Sequence, residues 1–364
     1  MTLENLWLLF SSFFVLGASC YLLFITSDPL EEIGGKIGRL LRLPEDVIAS
    51  TFQAMATSGP EIVMAIVAAT PFITGDVWQA LEMGEKACSG TLNMAFSAMD
   101  NLLGIGAVAM IFLIILKKVN PDDKIPVKPS TIIGLVFYIF ASGYFALSIK
   151  NGILTFSESW TLMGIGIAFI LSQFFIPAII AAKFPEEEED EDEDTEPVPA
   201  ITSEPIEWSK EMILSGMIYA FLVFALVIFV QKCMGATFNM ALTGWFSVGG
   251  VLIMFTSYVS SFPEFMMSYR YVIADKKAEL LGMLFGSNVI DLAFAGFRSI
   301  WLHEDMAVYT TGRFPELLPF YIWTLPVLAI LLLIGLKTQV LKWKHSYGLV
   351  VFYVCYIVSG FVLL

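Results

Sequence analysis

Uncharged apolar stretches of about 20 residues recur along the whole chain, and a stretch of that length matches the roughly 30 Å hydrocarbon core of a bilayer. Backbone groups in lipid must find their hydrogen bonds within the chain, so each stretch is expected to be a helix. Ten spans are predicted, at 5–26, 46–72, 88–116, 130–149, 153–182, 211–232, 244–268, 280–302, 315–336 and 345–364. Clusters such as Asn120-Pro121-Asp122-Asp123 mark the breaks between them. With 57% of residues hydrophobic and only 15% charged, little remains for the polar faces of a soluble domain. The expected fold is an all-α membrane protein of ten transmembrane helices.

The basic residues test that plan, because Lys and Arg concentrate in cytoplasmic loops. Alternate loops carry Lys36, Arg39 and Arg42; Lys117, Lys118, Lys124 and Lys128; Lys183 and Lys210; Arg270, Lys276 and Lys277; and Lys337, Lys342 and Lys344. The opposite loops hold Lys86, Lys150, Lys232, Arg298 and Arg313. A bias that persists through every loop predicts ten spans with both termini outside, in a cell membrane. No basic residue precedes Leu6, so the first apolar stretch reads as a retained helix rather than a signal peptide.

Much of the net charge of −14 comes from one segment, Glu186–Glu196, which is acidic at every position but Thr195. Such a run, followed by Pro197 and Pro199, cannot bury apolar surface and reads as a disordered cytoplasmic linker over 185–207. It divides the chain into five spans (1–184) and five more (208–364). No basic patch offers a surface to nucleic acid, and no protein partner is deducible. Four scattered cysteines, Cys20, Cys88, Cys233 and Cys355, read as free thiols, and two histidines are too few for a histidine-built metal site.

Two mid-span segments do not suit lipid: Ala56-Thr57-Ser58-Gly59-Pro60-Glu61 and Val259-Ser260-Ser261-Phe262-Pro263-Glu264. Both run hydroxyl, hydroxyl, any residue, Pro, Glu. A charge at bilayer depth costs about 2.5–3.5 kcal/mol on insertion scales and marks a functional site by default. The proline removes a donor to the carbonyl one turn earlier. The predicted result is a kinked helix presenting carbonyls, two hydroxyls and a carboxylate, the oxygen types that hard cations take.

A second pair follows. Gly286-Ser287-Asn288-Val289-Ile290-Asp291-Leu292-Ala293-Phe294 lies downstream of Glu264, and Cys88-Ser89-Gly90-Thr91-Leu92-Asn93-Met94-Ala95-Phe96 lies downstream of Glu61. On the shared Ala-Phe, Ser89 pairs with Ser287 and Asn93 with Asp291, four apart and on one helix face. A rival register sets Ser97 and Asn101 opposite Ser287 and Asp291. Asp100, one residue before Asn101, either lines the same pathway or lies at a helix interface against another polar group; Glu158 reads the same way and carries no assigned role. Halves of five spans must run in opposite directions, and inverted repeats with interrupted helices at the midplane are a mark of secondary transporters.

On these motifs the chain resembles the cation/Ca2+ exchanger superfamily, whose α-repeats carry a Gly-Thr-Ser-x-Pro-Glu core and a Gly-Ser-Asn-x-x-(Asn/Asp) core. The two matching stretches are 46–116 and 244–302. It is more similar to the Na+/Ca2+ exchangers and their K+-dependent relatives than to the H+-coupled branch. The resemblance implies an antiporter without cofactor that exchanges Ca2+ for Na+ by alternating access. It implies Ca2+ ligands at Glu61, Glu264, Asn93 and Asp291, and Na+ ligands at Thr57, Ser58, Ser89, Ser260, Ser261 and Ser287. The backbone carbonyls of Ala54 and Ser257 join the Na+ set. Ala56 and Val259 stand where the family has glycine, and Cys88 and Gly90 depart from Gly-Ser-Asn; these changes touch the Na+ positions. H+ as counter-ion, K+ participation, transport of Mg2+ or Mn2+, and a cation channel stay open as alternatives. No protease-like Gly-x-Gly-Asp or His-Glu-x-x-His motif points to an enzyme.

Overall fold

A computed structural model of the chain describes residues 3–40, 43–62, 65, 91, 93–183, 214, 217, 257–308 and 314–363. Ser89, Cys88, Cys233, the acidic linker, the span expected at 211–232 and most of that at 244–268 lie outside the described residues.

The described chain is helical almost throughout. Helix α1 runs Leu3–Leu40, α2 Glu45–Ile48, and a π-helical turn Ala49–Gln53 leads into α3, Ala54–Thr57. Then come α4 (Asn93–Ile115), α5 (Pro129–Ser148) and α6 (Phe156–Lys183). The later part holds α7 (Ser257–Ser260), α8 (Phe262–Ala274), α9 (Lys277–Phe294), α10 (Phe297–Leu302), α11 (Phe314–Lys337) and α12 (Ser346–Leu363). Among the described residues four helices are long and apolar enough to cross a bilayer: Asn93–Ile115, Pro129–Asn151, Phe156–Phe175 and Lys277–Leu302. The first span differs from expectation. Hydropathy predicts its end near 26, but α1 continues to Leu40, because the membrane edge limits apolar sequence and not backbone hydrogen bonding.

Helix α9 is the axle of the molecule. It packs on α2, the π-helical turn, α3, α4, α5, α6 and α8, and Ala278–Ala293 is buried apart from Glu279. Small residues let it approach so closely. A Cβ on Gly286 would sit 2.2 Å from the Ser50 carbonyl oxygen, so only glycine fits there. On the outside the pattern reverses. Phe140, Ile167, Leu171, Phe175, Leu331, Val351 and Val358 are exposed, while Glu61, Glu264, Asp100, Asp291, Asn101 and many serines are buried. Apolar residues outside and polar groups inside suit lipid as the solvent.

The loops meet in two pairs. The α5–α6 and α10–α11 connections form a two-stranded antiparallel ribbon, β1 (Ile153–Leu154) with β2 (Met306–Ala307). The α4–α5 and α11–α12 connections bridge at Lys124 and Lys342. There Lys344 reaches Asp122 at 2.6 Å, and this hydrogen bond and charge hold the Asp122 carboxyl below its usual range. The pair is exposed and therefore a weak tie. Because α5 joins the two loop pairs, Lys117, Lys118, Lys124, Lys128, Lys337, Lys342 and Lys344 gather at one end of it, and Lys150 lies at the other.

Candidate cation-binding site

The two Pro-Glu motifs break their helices at equivalent hydroxyls. Ser58 closes α3 with φ −73° and ψ 5°, and Ser261 opens α8 with φ −80° and ψ 9°. The helix resumes on each side, with Ile62 donating to Ser58 and Phe265 to Ser261. Proline one position before each glutamate suits a first helical turn, where no amide donor is needed. Glu61 and Glu264 are thereby carried, fully buried, in the first turn of the resuming helix.

The carboxylates are bound crosswise. Ser97 donates to Glu61 Oε1 at 2.8 Å, Ser261 donates to the same oxygen at 3.4 Å, and the two hydroxyls lie 2.6 Å apart. On the other side Ser287 donates to Glu264 Oε1 at 2.8 Å, Ser58 donates at 3.5 Å, and these hydroxyls are also 2.6 Å apart. The mirror extends outward. Asn93 donates to Ser260 at 3.2 Å, and Thr57 contacts the Met283 sulfur at 4.0 Å. Asn101 links the halves through Ser287 and Asp291, both at 3.4 Å. Glu61 and Glu264 lie within electrostatic reach of each other, and Asp291 of both.

The residues of the rival register are the ones this geometry brings together. Ser97, Asn101 and Asn93 match Ser287, Asp291 and Met283 at one constant offset of 190 residues. Ser97 reaches Glu61 and Asn101 reaches Asp291, while Ser89 lies outside the described residues. Asn93 lies one turn before Ser97 and spends its amide on Ser260. The carbonyls of Ala54 and Ser257 are also engaged. Each accepts the amide of the breaking serine, at 3.0 and 2.9 Å, and a hydroxyl, from Thr57 at 3.1 Å and Ser260 at 3.0 Å. A cation using either carbonyl would first turn that hydroxyl away. Replacing Ser97 or Asn101 by Ala is expected to weaken cation binding by about tenfold or more, and Asn93→Ala by less. Isothermal titration of the purified protein with Ca2+ checks the order.

Several oxygens are left unused. Glu61 Oε2, Glu264 Oε2, Asn101 Oδ1 and Asp291 Oδ1 are buried with no hydrogen-bond partner among the described residues. Buried polar atoms are normally satisfied, so an oxygen set of this kind fits a hard cation. No group of three His, Cys, Asp or Glu is arranged for a metal among the described residues. A cation here would draw on these carboxylate oxygens together with hydroxyl and amide oxygens.

Apolar helices around a buried, oxygen-lined centre define an integral membrane protein with an internal polar site. The family model for the sodium/calcium exchanger protein matches residues 11–175. No curated protein matches the sequence. Among solved structures, the sodium-calcium exchanger NCX_Mj soaked with Na+ and Sr2+ aligns over 96% of this chain and 99% of its own, at 16% identity and TM-score 0.62. Soaked with zero Na+ and Ca2+, it aligns over 97% and 98%, at 15% identity and TM-score 0.58. The H+/Ca2+ exchanger CAX aligns over 95% of this chain and 82% of its own, at 12% identity and TM-score 0.69. At these identities the structures share a fold. The sequence match to the sodium/calcium exchanger family covers residues 11–175, and the likeness in fold to these structures extends along nearly all of the chain.

Proposed function

We propose that the chain is a secondary antiporter that exchanges Ca2+ for Na+ by alternating access. The observation that carries this reading is the mirrored pair of buried carboxylates. Each has one oxygen capped by two hydroxyls and the other unpartnered. A Ca2+ ion held between Glu61 Oε2 and Glu264 Oε2, with Asn101 and Asp291 beside it, satisfies the orphaned oxygens. The paired hydroxyls Ser97–Ser261 and Ser58–Ser287, with Thr57 and Ser260, supply neutral oxygens for Na+ on either flank. Both ions draw on the same carboxylates, so their occupancy is competitive. A filled site is close to neutral and crosses the low-dielectric barrier, while an empty one is held back by its charge.

In the same reading the chain is two inverted repeats of five helices, 1–184 and 208–364, ten helices in all. Both termini face outside a cell membrane, and the acidic linker 185–207 lies in the cytoplasm. The lysine-rich loop pair is then the cytoplasmic end. The hydroxyl-Pro-Glu motifs favour Na+ over H+ as the counter-ion. A counter-ion exchange measurement tests this. Proteoliposomes loaded with Na+ are expected to accumulate radiolabelled Ca2+ to saturation, and liposomes given a K+ or pH gradient of the same size to stay at background. Equal uptake with the pH gradient replaces Na+ by H+, and uptake that never saturates and needs no counter-ion points to a channel.

A further inference from the structure

The mirror symmetry fails at one pair of positions. The constant offset that matches Asn101 to Asp291 sets Asp100 opposite Ile290, a buried apolar residue of α9. Asp100 is fully buried and within electrostatic reach of Glu61. Its Oδ1 accepts from the Tyr353 hydroxyl at 3.1 Å, and its Oδ2 has no partner among the described residues.

A second departure stands beside it. The side chain of Ser257 faces Asp100, and the residue equivalent to Ser257 in the first motif is Ala54, which has no hydroxyl. One flank thus has a carboxylate and a hydroxyl where the other has isoleucine and alanine. The support is specific too. Asp100 opens a π-helical segment, Asp100–Gly106, a distortion frequent at functional sites. Within it Gly104 admits the Tyr353 ring, since a Cβ there would lie 2.5 Å from Tyr353 Cζ. Tyr353 in turn hydrogen-bonds Tyr258, the residue after Ser257.

We propose that Asp100 and Ser257, with Glu61 and Ser260, form a cation subsite on one flank of the carboxylate pair, with no counterpart on the other. Two carboxylates and two hydroxyls select a hard cation, alkali or alkaline-earth. Tyr353 is a positioning residue that holds Asp100. This inference rests on the exchanger reading and gives it an asymmetry: the two flanks do not bind their ions equally.

Purified full-length protein is titrated with radiolabelled Ca2+, and the bound ion is then displaced with Na+. If the subsite takes Ca2+, Asp100→Asn lowers the ions bound per chain. If it takes Na+, the Hill coefficient of displacement falls by about one. Tyr353→Phe is expected to weaken the same ion about tenfold without changing the stoichiometry. Ser257→Ala, the mildest change, weakens it several-fold and serves if Asp100→Asn does not fold. The subsite is refuted if folded Ser257→Ala and Tyr353→Phe proteins bind and release both ions like the wild type. A wild-type protein whose Ca2+ binding ignores Glu61→Gln and Glu264→Gln overturns the exchanger reading instead.

Discussion

Glu61→Gln and Glu264→Gln are each expected to reduce Ca2+ uptake into Na+-loaded proteoliposomes to background. The substitution keeps the shape of the side chain and an oxygen that can accept from Ser97 or Ser287, so the crosswise hydrogen bonds survive. What it removes is the charge on the free oxygen, Oε2 in each case, and an amide there can point N–H groups at the ion. Removing one partner from a buried charge pair costs about 3–5 kcal/mol, which corresponds to roughly a hundred- to several-thousand-fold in affinity. The fold should not suffer. Two carboxylates within electrostatic reach of each other repel when no cation separates them, so thermal unfolding without Ca2+ stays at the wild-type temperature or rises. The contacts to the central ion are mirrored, so either variant alone is enough to abolish uptake. Wild-type uptake in either one removes the proposed function.

Gly286→Ala is the second large effect, and it acts through packing. The added methyl falls 2.2 Å from the Ser50 oxygen, 2.9 Å from its carbonyl carbon and 3.0 Å from Ala54 Cβ. The first two atoms are backbone and cannot rotate aside, so α9 must move off the π-helical turn by about 1 Å to reach ordinary contact. Overpacking of this kind costs about 1–3 kcal/mol. The functional cost is larger, because the next residue is Ser287, which bonds Glu264 at 2.8 Å and Ser58 at 2.6 Å. Displacement by about 1 Å at a reacting or binding centre costs about a hundred-fold. Ca2+ uptake is expected to fall by at least tenfold while protein still reaches the membrane. Gly164→Ala is the control, since nothing lies within 4 Å of a Cβ there. If both alanine variants transport equally, close approach of α9 is not what sets the site.

Much of this was legible in residue order. The Pro-Glu motifs announced themselves because a carboxylate after proline in an apolar run has few structural uses, and both are buried at helix breaks as expected. Helices α4, α5 and α6, and α9 together with α10, follow the hydropathy within a few residues. The partners of the carboxylates were not legible. Ser97 looks like any serine on a membrane helix, where the hydroxyl commonly returns to its own backbone, and nothing along the chain separates it from Ser89. Only the distance from Ser97 to Glu61 and Ser261 brings it into the site. Asp100 was visible as a buried acid but had no neighbour in sequence to give it meaning. Tyr353 supplies that from α12, 253 positions away.

The sequence by itself determined that this chain lives in lipid as helices and carries two glutamates that lipid alone cannot accommodate, since hydropathy and charge act residue by residue. Which hydroxyls cap those glutamates, which oxygens stay free and why the two flanks differ were decided only by tertiary structure. A hydrogen bond depends on ångströms between helices, and residue order does not encode that separation until α9 has packed against both broken motifs.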